Sequence, residues 1–169
     1  MKKLEIIKNK IISLDNLQLK LAFWKFKEKK VVFSNGCFDI LHRGHIDYLS
    51  KAADLGDILI IGLNSDNSVR RIKGTTRPIN DEYSRALLLA SLSFVDAVCL
   101  FDEDTPYKLI KFIQPDILVK GNDYSPEEVI GNDIVSAKGG QVITIPLVEG
   151  FSTSKIEKHI ADNFKKILS

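Results

Sequence analysis

Apolar positions along the chain follow two rhythms that alternate. Leu14, Leu17, Leu21 and Trp24, with Phe23 beside them, fall near helical spacing and predict an introductory helix from Leu14 to about Lys29. Val31-Val32-Phe33 then reads as a short buried strand. Helical spacing returns from Gly44 through Leu55, with Ile46, Leu49 and Ala53 on one face. The next run, Asp57-Ile58-Leu59-Ile60-Ile61-Gly62-Leu63, is almost unbroken in its apolar character, as befits a strand of a parallel sheet covered on both faces. The polar stretch from Asn64 to Asn80 predicts a short helix and then an exposed loop, a length of loop that often carries function. A helix from Asp81 to about Leu92 precedes a strand over Ala97-Val98-Cys99-Leu100-Phe101. A helix from Thr105 follows, with Pro106 at a tolerated early position, and then a strand over Ile117-Leu118-Val119. A helix around Glu127 to Ala137, a strand from Gln141 to Ile145 and a closing helix from Ser152 or Ser154 complete the order.

Strands alternating with helices at this spacing require right-handed crossovers. The predicted fold is therefore α/β: a Rossmann-like, doubly wound, five-stranded parallel sheet with helices on both faces. Residues 1–29 form a helical extension packed on a main domain of residues 30–169. Ligands of such folds bind at the carboxyl ends of the strands. The segments Asn35 to Asp39, Asn64 to Asp66, Phe101-Asp102, Lys120 to Asp123 and Glu149 to Ser154 all follow strands, so the fold would gather them on one edge.

Composition narrows the function classes. With 169 residues the chain suits one well-cored domain. No apolar run approaches the ~20 residues that span a bilayer, so no membrane partner is expected. Met1-Lys2-Lys3 is followed by Glu5, Lys8 and Lys10, which interrupt the apolar core a secretory signal needs, and a cytoplasmic location is expected. Two cysteines fit a reducing compartment. The 24 basic residues nearly balance the 22 acidic ones, so no global field points to nucleic acid. The basic stretches Lys25 to Lys30 and Lys165-Lys166 read as solvated helix ends.

The chemistry concentrates in three motifs. In Asn35-Gly36-Cys37-Phe38-Asp39-Ile40-Leu41-His42-Arg43-Gly44-His45, a strand turns through glycine into a helix start that carries two of the chain's three histidines. Backbone N–H groups and imidazoles then surround one small volume suited to phosphate oxygens. The plainer reading makes Gly36 a turn residue, Phe38 and Leu41 core, and both histidines surface groups, but it leaves their clustering unexplained. A zinc site on Cys37, His42 and His45 lacks a second pair of ligands, since Cys99 and His159 stand alone. Cys37 is better read as a small packing residue. In the second motif, Glu149-Gly150-Phe151-Ser152-Thr153-Ser154-Lys155, three hydroxyls open the last helix. Ser154 and Glu157 fit a capping box, yet three hydroxyls exceed what a cap requires. The third, Lys73-Gly74-Thr75-Thr76-Arg77-Pro78, is a basic loop that can bring Lys73 and Arg77 to phosphates, assisted by Arg85 on the next helix. No motif sets a base against an activated hydroxyl, and the Walker and Gly-x-Gly-x-x-Gly phosphate loops are absent. Positive charge and N–H donors without a protein nucleophile match direct in-line transfer.

These motifs resemble the nucleotidyltransferase superfamily whose signature is His-x-Gly-His, here His42-Arg43-Gly44-His45, with Ser152-Thr153-Ser154-Lys155 as its closing motif. The wider pattern resembles the D-glycero-β-D-manno-heptose 1-phosphate adenylyltransferases, including the adenylyltransferase domain of the bifunctional heptose kinase/adenylyltransferases. It is carried by Val32 to His42, Asn64-Ser65-Asp66, Lys73-Gly74 through Arg77-Pro78, Phe101 to Pro106 and Val119 to Tyr124, and runs from about Leu14 to the C-terminus.

The resemblance implies that a sugar 1-phosphate attacks the α-phosphorus of ATP, giving ADP-heptose and pyrophosphate for lipopolysaccharide or another surface glycan, with Mg2+ carried by the nucleotide phosphates and no protein-held metal. It implies His42, His45 and Lys73 as catalytic residues. It implies Asn35, Gly36, Cys37, Phe38, Lys120, Gly121, Asn122, Asp123, Phe151, Ser152, Thr153 and Ser154, with both histidines, around the nucleotide. Asp39, Asn64, Asp66, Lys73, Arg77 and Arg85 fall to the sugar phosphate. A separate heptose kinase is expected to supply the substrate, and the Leu-rich, aromatic N-terminal helix offers a homodimer contact. Two rivals stand beside this reading: a cytidylyltransferase acting on glycerol 3-phosphate or a similar alcohol phosphate, and a nucleotide-binding module without turnover. Related cytidylyltransferases often carry an arginine shortly before the closing Glu-Gly, where this chain has the apolar Pro146-Leu147-Val148.

Overall fold

The computed structural model describes residues 2–121 and 125–168. Its centre is a five-stranded parallel sheet of β1 (Val31–Gly36), β2 (Ile58–Asn64), β3 (Ala97–Phe101), β4 (Ile117–Gly121) and β5 (Gln141–Ile145), in the order β3-β2-β1-β4-β5. Strand alternation explains why both faces are apolar. Val31, Phe33, Ile58, Ile60, Ala97, Cys99 and Leu118 point to one face. There α2 (Leu14–Phe26) places Leu17 and Trp24, α6 (Tyr107–Ile113) places Leu109, Ile110 and Ile113, and α7 (Asn132–Ala137) places Val135. Val32, Leu59, Ile61, Leu63, Val98, Ile117, Val119 and Ile145 point to the other. That face is covered by Tyr48, Leu49 and Ala52 of α3 (Arg43–Ala53) and by Ala86, Leu89 and Ala90 of α5 (Glu82–Ser91). Each large side chain so enclosed contributes about 1.5–3 kcal/mol. On the first face Gly62 makes room for Phe33, whose Cζ would lie 2.7 Å from an added Cβ.

Three features depart from the sequence expectation. A short helix, α1 (Lys3–Lys8), precedes the others and buries none of its residues, so no apolar stripe announces it. The chain after it runs along β3: Ile12 N donates to Val98 O at 2.9 Å and Val98 N to Lys10 O at 2.8 Å, which covers that sheet edge. The helix predicted from Glu127 to Ala137 is broken into a 3₁₀ turn at Pro126–Glu128 and α7, because Gly131 adopts a left-handed φ of 93° between them. A side chain there would also meet Ile110 Cδ1 at 2.7 Å. The remaining helices are α4 (Asp66–Lys73) and α8 (Thr153–Leu168). Among the described residues no helix is long and apolar enough to cross a membrane.

The order in which successive strands are added reverses between β1 and β4, the switch point at which such folds open a crevice. Here Lys120 Nζ, from the end of β4, donates to Asn35 Oδ1 of β1 at 2.5 Å.

Candidate active site

Beyond Gly36 the chain turns tightly, with Phe38 at a φ of 45°, a left-handed conformation rare for an aromatic residue. The turn folds the Phe38 ring back over Gly36, where a Cβ would stand 3.1 Å from Cε2. The same ring meets His45 edge-on, with centroids 5.2 Å apart. His45 in turn stacks on His42 at 3.9 Å and 22°. His42 is the N-cap of α3 and lies back across its first turn, which is possible because residue 44 is glycine. An added Cβ at Gly44 would come within 3.0 Å of His42 Cε1 and 3.3 Å of Phe151 Cβ. The glycine of His42-Arg43-Gly44-His45 thus admits both the first imidazole and the segment before α8.

Burial pushes the His45 pKa down to about 4, helped by nearby His42 and opposed by a backbone hydrogen bond at Ile40. Burial lowers His42 as well. Both rings are therefore neutral near pH 7, each with one N–H to donate. The Nδ1 atoms of both are buried without a partner among the described residues, a cost tolerated where a ligand is to be met.

The hydroxyl segment reaches this pair from the far end of the chain. Gly150 turns at a φ of 87°, Phe151 lies under the Arg43 guanidinium at 5.3 Å, and α8 begins at Thr153. Ser152 caps the helix, accepting from Lys155 N at 3.2 Å. This corrects the capping box expected on Ser154 and Glu157: Ser154 lies inside the first turn, and Glu157 instead pairs with Arg77.

The residues expected at the sugar phosphate divide into two groups. Arg85 is fully buried: its Nε donates to Asn80 O (3.0 Å), Nη1 to Cys37 O (2.6 Å) and Nη2 to Asp66 Oδ1 (2.8 Å). The tight turn after β1 leaves its carbonyls without ladder partners, and the guanidinium supplies one. Asp39 accepts from Ile79 N (2.7 Å), Asn80 N (3.0 Å) and Arg77 Nη1 (2.8 Å). Burial works to raise the Asp39 carboxyl, but the Asn80 and Ile79 amides and Arg77 outweigh it and hold the pKa below the usual value. Asn64 is buried against Ser68 Oγ at 3.0 Å. Asp39, Asn64 and Arg85, all expected at the sugar phosphate, bind neighbouring segments of the protein and brace the loops around the site. Lys73, at the end of α4, stays exposed, and its charge reaches Cys37, partly offsetting the burial that raises that thiol.

Of the nucleotide set, Asn35 and Lys120 meet across the switch point, and Gly121 ends β4. Asn122 and Asp123 lie outside the described residues. Tyr48 escaped the sequence reading. Its hydroxyl donates to Val119 O at 3.0 Å and shares a 2.8 Å hydrogen bond with Ser34, fixing α3 against β1 and β4. Asn80 also escaped it, and Glu157 enters the sequence reading only through the capping box. Only the amphipathic placing of Tyr48 on α3 could have marked the first.

Among known proteins, the cytidylyltransferase-like family matches residues 33–159. The bifunctional protein HldE of Campylobacter jejuni subsp. doylei is 58% identical over 142 residues, 84% of this chain and 30% of that protein. HldE of Citrifermentans bemidjiense is 54% identical over 156 residues, 92% of this chain and 32% of its own length. The chain thus spans about a third of the length of the curated relatives it matches. A solved structure described as the lipopolysaccharide core biosynthesis protein from Thermoplasma volcanium GSS1 is 34% identical, with a TM-score of 0.58 over 71% of this chain and 97% of that one. Pantoate-beta-alanine ligase from Francisella tularensis shares the fold at 19% identity and a TM-score of 0.61, over 94% of this chain and 78% of that one.

Proposed function

The chain belongs to the cytidylyltransferase-like family, and from that premise we propose that it is a nucleotidyltransferase. It joins AMP from MgATP to D-glycero-β-D-manno-heptose 1-phosphate, releasing pyrophosphate and forming ADP-heptose for a surface glycan such as lipopolysaccharide. The observation that carries the reaction class is the stacked pair His42 and His45, neutral and half-buried, whose buried Nδ1 atoms have no partner among the described residues, beside the Phe151–Ser154 segment. The heptose substrate is supported by the resemblance of Val32 to His42, Lys73-Gly74, Arg77-Pro78 and Val119 to Lys120 to the heptose adenylyltransferases, and by the relatives' high identity. The need for ATP fits a cytoplasmic enzyme.

In this reading a phosphate oxygen of the sugar forms a bond to the α-phosphorus while the bond from that phosphorus to the bridging β-phosphate oxygen breaks. Negative charge passes to the leaving pyrophosphate. His42 and His45 meet that charge as N–H donors, the start of α8 with Ser152, Thr153 and Ser154 adds further donors, Lys120 supplies positive charge, and Lys73 meets the incoming sugar phosphate. No covalent step on the protein is needed, and Cys37 is a poor nucleophile because burial keeps its thiol protonated. Asp39 is engaged by three hydrogen bonds, two on Oδ1 and one on Oδ2. Among the described residues no group of three or more His, Cys, Asp and Glu could hold a metal ion. Mg2+ enters in this reading as part of the nucleotide substrate, carried by its phosphates. The 1-phosphate comes from a kinase step.

Pyrophosphate release, measured with ATP, CTP or GTP against both heptose 1-phosphate anomers and glycerol 3-phosphate, tests the proposal. Release is expected with ATP and the β-anomer. Release with CTP and glycerol 3-phosphate instead replaces the substrates, and no release with any pair overturns the catalytic reading.

A further inference from the structure

Arg77 joins two segments of the site that lie far apart in sequence. Its Nη1 donates to Asp39 Oδ2 at 2.8 Å, on the turn after β1, and its Nη2 pairs with Glu157 in the second turn of α8. We propose that Arg77 is a positioning residue, a clamp that fixes the start of α8 and its Ser152–Ser154 hydroxyls over the His42–His45 pair without itself binding phosphate. This rests on the nucleotidyltransferase reading.

Three observations carry it. The Asp39 anchor is rigid, since the backbone amides of Ile79 and Asn80 occupy its other oxygen and Asn80 Nδ2 donates back to Asp39 O at 2.7 Å. The far part of α8 gains little from apolar packing: Ile160, Phe164 and Ile167 are 61%, 62% and 78% exposed. Its direction is therefore set by its first two turns, where Phe151 rests against Gly44 and Glu157 meets Arg77. Finally, one guanidinium between two carboxylates leaves the trio with a net negative charge, which repels a phosphate. The planar fork explains the residue type, because it reaches two acceptors at once and a lysine ammonium does not hold both in fixed geometry.

The test compares Arg77→Met, Arg77→Lys, Glu157→Ala and the double variant Arg77→Met/Glu157→Ala in the intact chain. Amide exchange over residues 153–158, measured without substrates, is expected to quicken about tenfold in each single variant while β1 to β4 stay protected, as for loss of one charged hydrogen-bonded tie. The kcat/KM for ATP should fall about tenfold, Arg77→Lys should not restore it, and the double variant should be no worse than Arg77→Met. Wild-type exchange and kinetics in Glu157→Ala, beside a damaged Arg77→Met, would overturn the clamp in favour of direct phosphate contact. The exchange measurement needs no turnover: unaltered exchange in Arg77→Met overturns the clamp whatever the substrate, while absent pyrophosphate release in the wild type overturns only the catalytic reading.

Discussion

The two ends of the sheet treat their polar groups in opposite ways. Where β1 and β2 begin, three aspartates accept backbone N–H groups: Asp57 from Lys30 (2.9 Å), Asp116 from Val31 (2.8 Å) and Asp96 from Leu59 (2.8 Å). Asp57 and Asp116 are further paired with Lys29 and Lys138. At the carboxyl ends, the buried Nδ1 atoms of His42 and His45 have no partner among the described residues, and Phe38 holds a left-handed backbone. The first end is arranged to be stable by itself, the second to be completed by a ligand. A protein that holds unsatisfied groups and strained backbone at one edge draws its stability from the other.

The largest break in this comparison is His45→Ala. If the unpartnered pair serves the transferring phosphates, turnover should fall about 100-fold to 1,000-fold, the scale of one lost transition-state donor. The folded protein should remain, since the variant removes an unsatisfied buried nitrogen. Near-normal kcat in steady-state pyrophosphate release removes His45 from the mechanism.

Acid separates the two ends by pH window. With a folded pKa of about 4 for His45 against 6.5 unfolded, the unfolded chain binds more protons between those values. Stability is then lost as pH falls from about 6.5 towards 4, by up to about 3 kcal/mol. His42, lowered in the same direction, adds to this loss. Asp57, held low by the Lys30 amide and Lys29, and Asp116, held low by Lys138 and the Val31 amide against the opposing effect of burial, act elsewhere. Their contribution is present above the ordinary carboxylate pKa of 3.8 and is lost only as pH falls below it. Urea midpoints from pH 7 to pH 4 should show the first loss, and His45→Gln should flatten most of it. An unchanged slope in that variant assigns the loss to other groups.

What was legible in the sequence follows the same division. The strands could be read because the central apolar runs are enclosed on both faces, and two strands match the structure to the residue, Ala97–Phe101 and Gln141–Ile145. The histidine motif could be read because scarce residues cluster where a strand turns into a helix. Arg85 and Asp39 could not be assigned: a sequence reveals that a guanidinium exists, but not that the Cys37 carbonyl faces it. Glu157 fitted a capping pattern by spacing alone, and only the approach of the 74–80 loop redirects it to Arg77. The break at Gly131 is hidden because Ile130 and Ile134 keep an i, i+4 spacing across it.

At the stable end, Asp116→Ala removes the acceptor for Val31 N and the partner of Lys138. It should cost about 1–3 kcal/mol, a fall in thermal midpoint of about 5 °C, with kcat unchanged. A large fall in kcat at full stability would mean that the two ends are coupled.

The smallest effect tests whether any exposed group at the open end is specific to one substrate. Lys73 ends α4 with its side chain exposed, whereas Arg85 and Asp39 nearby are committed to the protein itself. A flexible ammonium with no structural duty can follow a phosphate as it binds, and its removal should weaken ground-state binding rather than the chemical step. Lys73→Ala should therefore raise the KM for the sugar phosphate about tenfold, with the KM for ATP and the thermal midpoint nearly unchanged. Equal weakening of both substrates would place the lysine over the nucleotide phosphates, and an unchanged sugar phosphate dependence would leave the basic loop as a solvated turn. Because Arg77 in the same loop is already bound to Asp39 and Glu157, a tenfold effect confined to the sugar phosphate would show how one short loop divides its labour, one cation holding the site together and the other meeting what enters it.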